Sequence, residues 1–136
     1  MREIKYIVIH CTATTQKATI QAIQNYWKYT LGWSAPGYHY IVTPKGNIQQ
    51  LAPHNDVCNG VKGYNQHAIH ISFIGGVDNK NIPVDNRTEL QKQAILSKLK
   101  YLKSIYPDAV ILGHRDFPGV TKACPSFDAK KEYQNI

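Results

Sequence analysis

The sequence has no apolar stretch long enough to span a bilayer, and a mean hydropathy of -0.38 excludes a membrane-embedded chain. No repeat, low-complexity segment or small-residue cleavage site is present. The N-terminal MREIKYIVIHC therefore reads as a strand, with no signal peptide. There are only three cysteines, Cys11, Cys58 and Cys124, too few and too odd in number for a secreted disulfide scaffold. At least one thiol must be free, buried, catalytic or metal-bound. No CxxC or HxxxH pair occurs, which argues against a closed structural zinc site. RNP, zinc-finger and helix-turn-helix signatures are missing, so no nucleic-acid partner is expected. His114-Arg115-Asp116 matches a kinase catalytic loop in three letters, but the chain is too short for a kinase and lacks a Gly-rich loop. Acidic residues are scarce, 9 against 16 basic ones, and the net charge of +7 implies an anionic partner without choosing its class.

What is present describes an ordinary folded chain. With 136 residues, 43% of them hydrophobic, a single domain over residues 1–136 is expected. Residues 4–11 place Ile4, Tyr6, Val8 and His10 on one face and Ile7, Ile9 and Cys11 on the other, which predicts a central strand covered on both sides. The spacing of Ile20, Ile23, Trp27 and Leu31 predicts a helix from Thr19, stopped by Gly32. Residues 38–43 and 48–51 flank Pro44-Lys45-Gly46-Asn47 and predict a hairpin. Residues 52–67 read as a long loop, and residues 68–74 as a strand before Gly75-Gly76. Thr88 with Gln91 forms a capping box for a helix whose stripe is Leu90, Ala94, Ile95, Leu99, Leu102 and Ile105, ended by Pro107. Residues 109–112 make a last strand. Strands alternating with helices predict an α/β fold, one sheet with helices packed on it.

Two of these strands run into histidines, VIH at His10 and ILGH at His114, and strand ends are where α/β sheets commonly place their sites. Cys124 follows within Lys-Ala-Cys-Pro. Two imidazoles and one thiolate from three separated segments make a candidate zinc site with an open fourth position, the catalytic pattern. Taken singly, the same histidines are as readily hydrogen-bonded polar residues and the cysteine a small hydrophobe, so spacing alone leaves both readings standing. Cys11 alternates away from His10 and reads as core; Cys58 is unassigned.

His10 in VIHCTAT, Gly37-Tyr38-His39-Tyr40, Gly63-Tyr64-Asn65, Ile74-Gly75-Gly76 and KACPSFD from Lys122 occur in one order across residues 4–130. Together they resemble the type 2 zinc N-acetylmuramoyl-L-alanine amidases, a family that includes bacteriophage lysozyme-type amidases and is related to peptidoglycan recognition proteins. The resemblance implies a central mixed β-sheet flanked by helices and one Zn2+ per chain on His10, His114 and Cys124. It implies Tyr38 and Lys122 as catalytic residues and peptidoglycan as the substrate, cut at the amide between N-acetylmuramic acid and L-alanine. Lys122, two residues before Cys124 on an extended segment, would face the same cavity and stabilise an oxyanion. Tyr38 would orient water or bond the oxyanion, and which of the two donates the proton stays open. Asn65, His67 and His54 are candidate cleft residues, and His39, alternating away from Tyr38, is expected to pack and hydrogen-bond.

Two positions depart from the family pattern. Ile69 is followed by His70 where relatives often have Gly, and Cys58-Asn59-Gly60-Val61 stands where many carry a histidine or aromatic. Both departures are expected on the cleft wall, away from the metal. A monomer without membrane insertion, cytoplasmic until released to act on the wall as a lysin, is expected. Three rivals differ in class. A cysteine peptidase using Cys124 with His114 or His10 would survive a chelator. A nucleic-acid module would gather its lysines, which here spread over helix and loops. A catalytically dead wall-binding domain would be expected to lose the cysteine ligand, and all three ligands are present.

Overall fold

The computed structural model describes residues 2–136. Strand β1 (Tyr6–Cys11) is apolar on both faces and lies inside the sheet, as its pattern requires. Helix α1 (Ile20–Asn25) starts at Thr19, whose hydroxyl accepts the Ala22 N–H at 3.1 Å. It continues through one π turn, Tyr26–Thr30, in which the Leu31 N–H donates to the Tyr26 carbonyl at 3.0 Å. Gly32, at φ +68°, ends it. Ile23 and Trp27 are buried as the spacing predicts, but Leu31 is 40% exposed, because the π turn carries it to the rim of a cavity.

Strands β2 (Tyr40–Val42) and β3 (Ile48–Gln50) form the expected antiparallel hairpin, turning at Gly46 with φ +84°. Strand β4 (Ala68–Phe73), helix α2 (Glu89–Ile105) and strand β5 (Val110–Gly113) complete the main elements. A short helix α3 (Ala129–Glu132), capped by Asp128, was not signalled by the sequence. The sheet order is β3-β2-β4-β1-β5, parallel except for β3, so the sheet is mixed, as expected.

The capping box of α2 is present in both directions: Gln91 N–H to Thr88 Oγ1 at 3.0 Å, and Thr88 N–H to Gln91 Oε1 at 2.9 Å. Its buried stripe differs from the expected one. Ile95, Leu99 and Leu102 are buried, whereas Leu90 and Ile105 are exposed and Gln91 takes an inner position. The first turn of α2 passes over the strand-end carbonyls of Ile74 and Val42. The Gln91 side-chain amide donates to Ile74 O at 3.0 Å and, at 3.3 Å, to Val42 O, which also accepts the Ile74 N–H at 2.9 Å.

Side-chain alternation sorts β1 and β4 into two faces. Ile7, Ile9, Cys11, Ile69, Ile71 and Phe73 join α2, Phe127, Ala129 and Tyr133 in the main core. The other face holds Val8 and Ile41 in two smaller apolar clusters, and between them the buried polar residues His10, His39, His70 and Ser72.

Candidate active site

The parallel register aligns the C-terminal ends of β1, β4 and β5, and the site is built there. His10 is the penultimate residue of β1 and only 1% exposed. His114 opens a 3-10 turn, His114–Asp116, directly after β5, and the Gly113 N–H bonded to Asp116 Oδ2 at 2.8 Å fixes that turn. The Cys124 segment is tied to the same place: Arg115 N–H donates to Cys124 O at 2.9 Å, and Cys11 N–H donates to Cys124 Sγ at 3.2 Å. Nδ1 of His10 lies 3.9 Å from Cys124 Sγ, and the donor atoms of His10, His114 and Cys124 all lie within 4.8 Å of one another.

A tetrahedral zinc ion with ordinary bond lengths needs donors roughly 3.3–3.8 Å apart, so small side-chain adjustments would close the cluster on one. The donor set, two nitrogens and one sulfur, suits zinc. Burial drives the His10 imidazole well below its ordinary pKa, helped by His70, His114 and the Lys122 charge; burial and Lys122 lower His114 likewise. Both rings are therefore neutral, the form that ligates. The Cys124 thiol is pushed up by its contact with Cys11 and by burial, so metal binding would displace its proton.

This cluster forms one end of a cavity of about 700 Å³ that Tyr38 and Lys122 also line. The Tyr38 hydroxyl donates to Cys11 O at 3.2 Å, and burial raises its pKa, so the phenol stays protonated. Its ring sits 5.1 Å from His10 and 5.2 Å, edge-on, from Trp27. Gly37 permits this packing, because a Cβ there would lie 3.0 Å from the Trp27 ring. Lys122 is exposed at the lip, on the same cavity as Cys124. Trp27, Leu31 and Trp33 make an apolar wall.

The remaining expected residues lie elsewhere. His67 precedes β4 at the opposite end of the sheet and bonds Glu3 O at 2.9 Å. His54 bonds the hydroxyls of Tyr40 and Tyr106. Neither lines the cavity, and Asn65 does not either: it bonds inward to His70 at 2.9 Å. His39 is fully buried and hydrogen-bonded, and Cys11 faces the main core. Cys58 is buried, with its thiol pushed up to about 12 by burial. The expectation that His70 leaves the metal ligands untouched does not hold: its Nδ1 is 2.8 Å from Nε2 of His10. A Cβ on Gly60 would lie 2.3 Å from the same Nδ1, so the two departures from the family pattern meet at this ring, a contact that the fold creates.

A mixed sheet bringing two strand-end histidines and a cysteine to one open cavity is suited to metal-assisted hydrolysis. The model of the N-acetylmuramoyl-L-alanine amidase family, Amidase_2, matches residues 1–127, and the chain belongs to that family. Its members hydrolyse the amide between N-acetylmuramic acid and L-alanine of peptidoglycan, and this chain is such an amidase. It is 36% identical over 135 residues to the endolysin of Klebsiella phage KP32, covering 98% of this chain and 87% of that one. The structure of the N-acetylmuramoyl-L-alanine amidase LysC from Clostridium intestinale superposes with a TM-score of 0.79 at 26% identity, covering 96% of this chain and 82% of that one. The peptidoglycan recognition protein PGRP-SA of Apis mellifera gives 0.81 at 25% identity, covering 99% and 84%.

Proposed function

We propose that this amidase works with one zinc ion held by His10, His114 and Cys124, and with Tyr38 and Lys122 as its catalytic side chains. The observation that carries the reading is the convergence of the three donor atoms within 4.8 Å at the end of a cavity lined by both of the other residues. Zinc in such a site supplies Lewis acidity that favours attack of water on a carbonyl. The Lys122 ammonium, at the cavity lip, stabilises the negative charge that develops on the amide oxygen. The protonated Tyr38 phenol is a donor beside His10, placed to orient the attacking water or to pass a proton to the departing amine. Water adds to the carbonyl carbon, the C–N bond breaks, and the L-alanine nitrogen leaves as an amine carrying the proton. The apolar wall of Trp27, Leu31 and Trp33 excludes water and strengthens these interactions.

The site is complete within one chain, which supports a monomer as the working unit. Among the described residues no helix is long and apolar enough to cross a membrane, and the +7 charge suits a polyanionic wall. A thiol peptidase using Cys124 would keep its activity in the presence of a chelator. Digestion of purified peptidoglycan is the test. New L-alanine amino termini, abolished by a chelator and restored by zinc, are expected. New reducing sugar ends, or activity indifferent to chelation, would overturn the reading.

A further inference from the structure

The backbone N–H groups of Gly60 and Val61 both point at one atom, Oδ1 of Asn65, at 3.1 and 2.7 Å. Amide N–H groups only donate, so that atom is the side-chain oxygen and acts as an acceptor. The third contact of the same oxygen is Nε2 of His70, at 2.9 Å, which must therefore carry a hydrogen. A neutral imidazole has one hydrogen, so Nδ1 of His70 keeps its lone pair. That lone pair faces Nε2 of His10 at 2.8 Å, so the hydrogen of His10 is on Nε2. Nδ1 of His10, 3.9 Å from the Cys124 sulfur, is left with the free lone pair.

We propose that His70 is a positioning residue that, held by Asn65, fixes His10 in the single tautomer able to ligate through Nδ1. This rests on the reading of His10 as a metal ligand. His70 is fully buried, its backbone N–H is held by Nδ1 of His39 at 3.0 Å, and its ring stacks on that of His39 at 5.9 Å between centroids, so its plane is locked. Gly60 belongs to the same device. With the His70 ring 2.3 Å from where a Cβ would stand, only glycine leaves room for the ring while presenting its N–H to Asn65. His70 and Gly60 lie in the two stretches that depart from the family pattern, and they meet at this ring. Outer-sphere partners that orient a ligating histidine are typically worth about 10–100-fold in metal affinity.

Long-range 1H–15N correlation NMR on the metal-free protein reads the tautomer directly. Wild type is expected to show His10 protonated on Nε2 alone. His70→Asn, whose side-chain oxygen replaces the Nδ1 acceptor, is expected to keep that tautomer and bind zinc within several-fold of wild type in a chelator competition. His70→Leu is expected to show mixed His10 tautomers and about 10–100-fold weaker zinc binding. A wild-type His10 protonated on Nδ1 would overturn the proposal even if His70→Leu fails to fold. So would a folded His70→Leu with unchanged tautomer and zinc affinity. A wild type that shows the expected tautomer yet binds no zinc would instead sink the zinc reading.

Discussion

Strands β1 and β4 present two faces that are equally dry and chemically opposite. Toward α2, Ile7, Ile9, Ile69, Ile71 and Phe73 are at most 1% exposed, and so, toward the cavity side, are His10, His70 and Ser72. The apolar face needs only volume and shape, so its stabilisation is spread over many contacts. The order of the polar face is carried by a few directional bonds between its buried nitrogens and their partners, and the Ser72 hydroxyl has no hydrogen-bond partner among the described residues. A single residue of alternation separates the two. The sheet can thus hold its fold on one side and its chemistry on the other, and a change on one side should leave the other largely intact.

The largest expected separation is at Tyr38. Tyr38→Phe keeps the ring packing on His10 and Trp27 but loses the phenolic donor. Its kcat on peptidoglycan should fall on the order of 10²–10³-fold while its melting temperature hardly moves. A variant with near-wild-type turnover would remove Tyr38 from the mechanism. On the opposite face, Leu99→Ala empties a fully buried position under the sheet. Urea unfolding should show a loss of about 2–5 kcal/mol, with the specific activity of the folded protein unchanged. If activity fell in proportion, the two faces would not be independent.

The smallest expected effect concerns acid stability. Arg87 is buried, bonds Asp85 and Glu132, and lies 3.5 Å from the centre of the Phe127 ring. The guanidinium holds both carboxyls below their ordinary range in the folded state. Groups depressed on folding contribute stability above their unfolded pKa, about 4–4.5, and lose it as pH falls through the folded values. Between pH 6 and pH 3 the urea midpoint of wild type should therefore fall more steeply than that of Arg87→Met. Parallel slopes would show that this pair of carboxylates does not contribute.

Much of this architecture is legible in the sequence because it is local or periodic. The alternation through residues 4–11, the Thr88–Gln91 box and the Ile95, Leu99, Leu102 stripe each follow from a few neighbours along the chain. The two strand-end histidines follow from the same patterns, because a strand that stops names its own end. What was not legible depends on contacts between distant segments. Gln91 reads as a break in an apolar stripe until the carbonyls of Val42 and Ile74 are set beneath it. Helix α3 is too short for periodicity to show. Asn65, in an Asn- and Gly-rich loop, reads as a cleft residue, whereas its hydrogen bonds run inward to His70 and the backbone of Gly60 and Val61. The link from His70 to His10 crosses two strands and is visible only once their register is known.

The central claim is that one face of β1 serves the metal and the other the core, and the two cysteines nearest His10 separate these directly. Metal content should be measured on wild type, Cys11→Ser and Cys124→Ser after loading with zinc and dialysis. One zinc per chain in wild type and in Cys11→Ser, and none in Cys124→Ser, is the predicted result. Zinc retained by Cys124→Ser, or lost from Cys11→Ser while the protein stays folded, would contradict the account.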